Sequence, residues 1–302
     1  MTIVSEMPST AQAGGPHAGP DIARIVMSCA DRPGIIASVA SFLHRNGANI
    51  VQSDQYSTGP TGGQFFLRTE FHLPGVAGRL PEIERRFTDE VASALGAQFR
   101  LRDASVPARV ALFVSRQDHC LLDLLWRERR GELPVQTVLV ISNHPDLRPD
   151  VVSFGVPFEH VPVTRATKAQ AERRQLELLR GNVDLVVLAR YMQILSPAFL
   201  EQVGVPVINI HHSFLPAFAG AGPYERARER GVKLIGATAH YATEDLDEGP
   251  IIEQDVTRVS HQDTVADLAR RSADIERTVL VRAVTWHCQD RVLLDGRIAI
   301  VF

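Results

Sequence analysis

Several short stretches of this sequence, Arg109 to Val114, Val135 to Ser142, Val183 to Ala189 and Val205 to Ile210, are apolar at most positions rather than at every second one. A strand with one wet face alternates apolar and polar residues. A strand apolar on both faces must be covered on both, which is the situation of parallel strands flanked by helices. Helical spacing appears between these runs, at Leu121 to Arg130 and Lys168 to Arg180, as the crossovers of a parallel sheet require. A doubly wound, mostly parallel α/β sheet is therefore expected over 109–302. Ile235 to Tyr241 would add a further strand after a helix at Pro223 to Gly231. A long helical period from Thr264 to Cys288, with Leu268, Ile275, Val279, Val281 and Val284, follows.

The region before it is organised differently. Ile22 to Cys29 reads as a strand, and Asp31-Arg-Pro-Gly34 as a turn into a helix carrying Ile35, Ile36, Val39, Phe42 and Leu43, with Gly47 at its end. Ala48 to Tyr56 and Gln64 to Leu73 read as strands joined by a Gly/Pro/Thr hairpin loop. After Pro74-Gly75 come a helix at Leu80 to Leu95 and a strand at Ala97 to Leu101. The order β-α-β-β-α-β is that of a ferredoxin-like unit. Four segments result: a loose tail at 1–20, a first domain at 21–103, a linker at 104–108 and a second domain at 109–302.

A length of 302 residues accommodates two such cores, and 45% hydrophobic with 22% charged residues is the balance of a folded globular chain. Lys and Arg number 32 against 35 Asp and Glu, so no basic excess speaks for nucleic acid as a partner. No apolar run approaches the roughly 20 residues of a membrane span. Residues 1–20 contain no Lys or Arg and no apolar stretch, unlike a secretory leader. Cys29, Cys120 and Cys288 are odd in number and widely spaced, which fits a reducing cytoplasm.

In open α/β sheets, ligands bind beyond the carboxyl ends of the strands. There the sequence places Asn209, His211, His212 and Ser213. Asn209 and His211, two apart, share one face of an extended chain. An amide and an imidazole converging there suit a carbonyl oxygen that becomes anionic on attack; the same pair could also be two polar groups satisfied at a strand end. A second polar strand end, Thr238-Ala-His240-Tyr241, precedes a loop with acids at 244, 245, 247 and 248, closed by Gly249-Pro250. A carboxylate there could orient an imidazole or accept a water proton, or the loop could be merely solvated.

The segments Asn209-Ile-His211, Ser213-Phe-Leu-Pro216 and Leu246-Asp247-Glu-Gly249-Pro-Ile-Ile252 resemble the signature of the folate-dependent formyltransferase fold family. The resemblance implies a catalytic trio of Asn209, His211 and Asp247. It implies a folate pocket at Arg190, Met192, Gln193, Ile194 and Leu195, opposite Thr243 and Glu244. Asp118-His119-Cys120-Leu121, Ser142-Asn-His-Pro-Asp-Leu147, Pro162-Val-Thr164, His211-His212-Ser213 and Gly236-Ala-Thr-Ala-His240-Tyr241 are similar to the hydrolytic branch, the formyltetrahydrofolate deformylase family. Gly222 departs from that likeness, which leads one to expect a longer, often basic side chain before Pro223-Tyr224. Asp31-Arg-Pro-Gly34-Ile35 and Gly47-Ala-Asn49-Ile50 resemble an ACT domain, which that family carries in front.

What the resemblance implies is hydrolysis of 10-formyltetrahydrofolate, a linear amide, to tetrahydrofolate and formate, balancing one-carbon pools for purine synthesis. No cofactor or metal is expected. Asp247, paired with His211, would favour the imidazolium and could accept the water proton; the Arg or Lys that meets the folate tail is not identifiable. The ACT resemblance implies a homo-oligomer and an effector such as glycine or methionine at Asp31, Gly34, Ile35 and Asn49.

Other readings fare less well. A ribonucleotide formyltransferase needs small glycines after its first strand to cradle a phosphate, where this chain has Ser115-Arg-Gln-Asp118-His119. A transfer-RNA formyltransferase is expected to add a basic C-terminal domain, and this sequence stops at Phe302. His211, His212, His240 and Asp247 could imitate a metal set, but there is no H-E-x-x-H, and adjacent His211 and His212 should point to opposite strand faces. Cys120 beside His119 reads as a packed thiol rather than a nucleophile. A non-enzymatic folate or amino-acid sensor would be expected to have lost part of the trio.

Overall fold

In the computed structural model, which describes residues 21–216 and 223–302, the chain divides between Ser105 and Val106 into two units. That division falls inside the segment expected as a linker. The tail at 1–20 and Gly222 lie outside the described residues.

The first unit runs β1 (Ile22–Ala30), α1 (Ile35–Arg45), β2 (Asn49–Ser57), β3 (Gln64–His72), α2 (Val76–Phe87), a π-helical turn (Thr88–Ala92), α3 (Ser93–Leu95) and β4 (Gln98–Asp103). Its antiparallel sheet has the order β2-β3-β1-β4. Ala23, Ile25, Met27 and Cys29 alternate onto the face that packs against Val39, Phe42, Ile83 and Phe87. Helix α2 begins at Val76, four residues before the expected start, because Gly75 turns the chain in the left-handed region at φ 70°. Gly78 and Pro81, poor helix formers, hide that start in the sequence.

The register corrects one expectation. Ile22 and Asn49 both lie opposite His72, whereas Ala30 pairs with Gln64 and Ser57 with Phe65. Asp31 and Gly34 therefore sit at one end of the sheet, where Ser57 Oγ donates to Asp31 Oδ2 at 2.5 Å. Asn49 sits at the other end, about 25 Å away at ~3.3 Å per residue. Ile35 is buried in the core. The four residues expected as an effector site do not meet within one chain, because cross-strand register leaves no mark on a single strand's sequence.

The second unit continues with β5 (Ala108–Val114), α4 (His119–Arg129), β6 (Val135–Ser142), α5 (Arg148–Ser153), β7 (Phe158–His160), α6 (Lys168–Leu179), β8 (Leu185–Leu188), α7 (Pro197–Val203), β9 (Val207–His211), α8 (Pro223–Glu229), β10 (Leu234–Tyr241), β11 (Ile251–Arg258), α9 (Val265–Cys288), β12 (Val292–Asp295) and β13 (Ile298–Val301). The seven-stranded sheet has the order β11-β10-β9-β8-β5-β6-β7. Strands β5 to β9 pair in parallel, β10 alone runs against them, and the edge strand β11, antiparallel to β10, returns to their direction. Alternate residues of β5 enter different cores: Val110, Leu112 and Val114 pack with Leu121 and Val279, and Ala111 and Phe113 with Leu179 and Phe199. The two-faced apolar pattern is thus two cores seen edge-on.

Strand β11 and the β12-β13 hairpin were not anticipated. Glu253, Gln254, Asp255, Thr257 and Arg258 make β11 too polar to resemble a buried strand, and it survives because it is an edge paired only with β10. Strand β5 lies between β6 and β8, so successive strands are added on opposite sides of it and a crevice opens beyond the carboxyl ends of β5 and β8. Among the described residues no helix is long and apolar enough to cross a membrane.

Candidate active site

Next to that crevice lies a cavity of about 300 Å³, lined from the ends of β8 and β9 and from the loop after β10. Ser115, just past β5, pins the segment that forms one wall: its N–H donates to the Arg190 carbonyl (3.2 Å), its hydroxyl accepts from Met192 N–H (3.0 Å) and donates to Asn143 Oδ1 (2.7 Å). These bonds turn residues 190–194 away from β8 and leave Met192 and Ile194 more than half exposed, at 56% and 60%. A polar pin thus presents an apolar wall.

The opposite wall is polar. Asn209 and His211 both line the cavity from β9, as their spacing on one strand dictates. The loop after β10 brings Asp247 Oδ1 to 3.3 Å from His211 Nδ1 and 3.7 Å from His240 Nε2. Gly249 makes this loop possible, since a Cβ there would lie 1.8 Å from the Tyr241 carbonyl oxygen. Asp247 itself takes φ 59° and Arg190 φ 65°, a left-handed conformation that costs energy in most side-chain-bearing residues and clusters at functional sites.

His240, noted in the sequence only within a polar strand end and a possible metal set, is a site residue whose role was not anticipated. Opposite Asn209 in the β9-β10 register, it donates from Nδ1 to the Tyr241 carbonyl at 3.0 Å, which leaves the Nε2 lone pair to accept from Asn209 Nδ2 at 3.2 Å. Burial pushes its pKa down, keeping the neutral ring that this arrangement needs. The amide of Asn209 is oriented as a result. A polar residue at the end of an apolar strand was the available signal; its partner depends on register.

The electrostatics separate the histidines. The hydrogen bond from His211 holds Asp247 below its ordinary carboxylate range, against the opposing effect of burial. His211 Nε2 is buried and has no hydrogen-bond partner. Burial, helped by the charges of Arg190 and His211, lowers His212 to about 4. The rings of His211 and His212 lie 5.1 Å apart, correcting the expectation that they face opposite ways: β9 ends at His211, so strand alternation does not extend to His212.

The residues expected at the catalytic and folate positions, Asn209, His211, Asp247, Arg190, Met192, Gln193, Ile194, Leu195, Thr243 and Glu244, all line this one cavity. Arg190 is 5% exposed, too buried to serve the tail of a ligand at the cavity mouth.

Behind Arg190 lies a cluster that sequence reasoning missed. Glu276, on α9 and 1% exposed, accepts from Ser272 Oγ (2.8 Å) and Tyr224 Oη (3.1 Å) on Oε1, while Oε2 meets His119 Nε2 at 2.8 Å and Arg190 Nε at 3.4 Å. Burial alone would raise Glu276, but the His119 hydrogen bond and the Arg190 charge bring it down to about 2. His119, Cys120 and Glu276 are the metal-type ligand group among the described residues. His119 and Glu276 are already bonded to each other, and burial pushes the Cys120 thiol well up; such a set suits a metal poorly.

The profile of the Formyl transferase family matches residues 108–284, and that of the ACT domain residues 23–87. Formyltetrahydrofolate deformylase of Mycobacterium tuberculosis H37Rv is 64% identical over 282 residues, spanning 93% of this chain and 91% of that one. The crystal structure of formyltetrahydrofolate deformylase from Burkholderia mallei superposes with a TM-score of 0.87 at 41% identity, covering 94% of this chain and all of that one. Glycinamide ribonucleotide transformylase 1 from Symbiobacterium toebii matches at 31% identity with a TM-score of 0.60, covering 65% of this chain and 94% of that one.

Proposed function

The chain belongs to the formyltetrahydrofolate deformylase family, and from that premise we propose that it hydrolyses 10-formyltetrahydrofolate to tetrahydrofolate and formate. The observation that carries the reading is the convergence of Asn209, His211 and Asp247 on one cavity, with His211 Nε2 buried and bare. A pterin fits the apolar wall of Met192, Ile194 and Leu195, which sets the formyl group against the polar wall. Water attacks the formyl carbon, and the oxyanion takes hydrogen bonds from Asn209 Nδ2 and from His211 Nε2 as imidazolium. Asp247, ionised and beside His211, stabilises that imidazolium and accepts the water proton. The proton then passes to the folate nitrogen as its C–N bond breaks, and the formic acid released ionises to formate.

Water rather than an amine is the acceptor because the loop after β5, Ser115-Arg-Gln-Asp118-His119, offers a phosphate no glycine cradle and sets an acid in its place. Mixing the protein with 10-formyltetrahydrofolate alone should release formate and tetrahydrofolate in equal amounts, and a chelator should change nothing. Formate or formylated product appearing only after glycinamide ribonucleotide is added would replace hydrolysis by transfer.

In the cytoplasm this reaction would return one-carbon units as formate, on which purine synthesis draws. The ACT unit supports homo-oligomer assembly and the sensing of a small amino acid such as glycine or methionine. The Asp31-Gly34 turn is the favoured contact, with free N–H groups at the start of α1. An effector must bind active and inactive states unequally, so a formate-release rate of the intact chain indifferent to both amino acids would leave assembly as the unit's role.

A further inference from the structure

The products of a buried hydrolysis differ in kind: one is a large heterocycle facing the apolar wall, the other a triatomic monoanion. An anion released in a low-dielectric pocket needs a cation nearby. Among the described residues lining the cavity the only Lys or Arg is Arg190. Its side chain is held from one edge. Nε donates to Gln117 Oε1 at 2.5 Å and faces Glu276 Oε2 at 3.4 Å. Nη1, by contrast, is buried and has no partner. A guanidinium nitrogen buried without a partner carries an unrelieved desolvation cost, and this one is also carried on a left-handed backbone, φ 65°.

Arg190 also lines a second cavity of about 270 Å³, together with Arg116, Gln117, His119, Tyr224 and Glu276. It therefore borders both spaces. Asp118 borders the second as well, so two arginines there face two carboxylates. That balance disfavours a phosphate dianion. It leaves one guanidinium nitrogen, Nη1, without a partner, matched to a single negative charge.

We propose that Arg190 Nη1 is the binding point of the formate anion, a product subsite that takes formate from the reacting carbon towards the second cavity. The proposal rests on the hydrolytic reading for the identity of the anion. Glu276 lowers the field of Arg190 without occupying Nη1, so binding is weak, with a Kd in the millimolar range as expected of a product that must leave.

Saturation-transfer NMR on the lone proton of formate, with the full chain and no folate present, tests this without turnover. Azide, a triatomic monoanion, and inorganic phosphate serve as competitors. Formate should bind and be displaced by azide at lower concentration than by phosphate. Arg190→Gln should weaken formate at least about tenfold through loss of a charge-assisted bond. Glu276→Gln, which keeps the hydrogen-bonding shape but removes the competing charge, should strengthen it several-fold. Arg190→Lys, which retains a cation opposite Glu276, replaces Arg190→Gln if that variant does not fold and should bind formate less tightly than wild type.

The opposite signs for Arg190 and Glu276 are the telling feature, since a merely structural cluster would lose binding in both. Formate bound equally by the Arg190 variants, or by none of the proteins, overturns the proposal, as does phosphate outcompeting azide. Because no turnover is involved, such a failure leaves hydrolysis standing. Conversely, absence of formate release from 10-formyltetrahydrofolate would refute the hydrolytic reading while the anion measurements kept their own meaning.

Discussion

Among the described residues of the second unit two carboxylates meet histidines, Asp247 in the cavity and Glu276 behind it. His119 and Glu276 are 2.8 Å apart, and both oxygens of Glu276 have further partners in Ser272, Tyr224 and Arg190. His211 and Asp247 are 3.3 Å apart, Asp247 occupies a left-handed backbone, and His211 Nε2 has no partner. The residue types are the same. What differs is satisfaction of the pair itself: where both carboxylate oxygens hold several donors the pair stabilises, and where the histidine is left bare on one side and the backbone is strained, that deficit is reserved for a ligand.

The sharpest way to break this contrast is Asp247→Asn. Asn tolerates the left-handed conformation, so the fold should keep its denaturation midpoint while turnover falls at least about 100-fold, roughly 3 kcal/mol in the barrier. KM should stay within about threefold, because the change removes an interaction of the transition state. Turnover within threefold of wild type, measured as formate release, would remove Asp247 from the mechanism.

The reciprocal change, Glu276→Ala, should cost stability, about 2–3 kcal/mol, by leaving His119 and the Tyr224 and Ser272 hydroxyls without their acceptor and Arg190 without its counter-charge. Urea unfolding is the measurement, and an unchanged midpoint would mean that the cluster is not structural. The same carboxylate shapes the acid limb of the stability curve. Its folded value is about 2 against an ordinary 4.5, so the unfolded chain takes up the extra proton first as pH falls. The stability it contributes is complete above 4.5 and is lost on descending towards 2. Glu276→Gln should flatten that part of the curve, and an identical slope in the variant would assign the acid limb to other groups.

The smallest expected effect lies at His240. Replacing it by Leu keeps the volume but removes the lone pair that orients Asn209, so turnover should fall about tenfold, ~1.4 kcal/mol, with little change in KM. A loss as large as that of Asp247→Asn would make His240 a direct participant rather than a positioning residue.

The features legible in the sequence were those that depend on a residue's near neighbours. Val110 to Val114 had to be buried on both faces because they are apolar in succession, and Asn209 and His211 had to share a face because side chains alternate along a strand. Asp247 was reachable through its place before Gly249-Pro250, a likeness of short segments. Tertiary structure alone decided the rest. It paired His240 with Asn209 through the register of β9 and β10, joined His119 to Glu276 across 157 positions, and separated Asn49 from Asp31 by the length of a sheet. It also put Arg190 and Asp247 into conformations no local preference favours. The physical reason is common to all four: periodicity and turn chemistry act over a few residues, whereas register, burial and tolerated strain are set by the packing of elements distant in sequence.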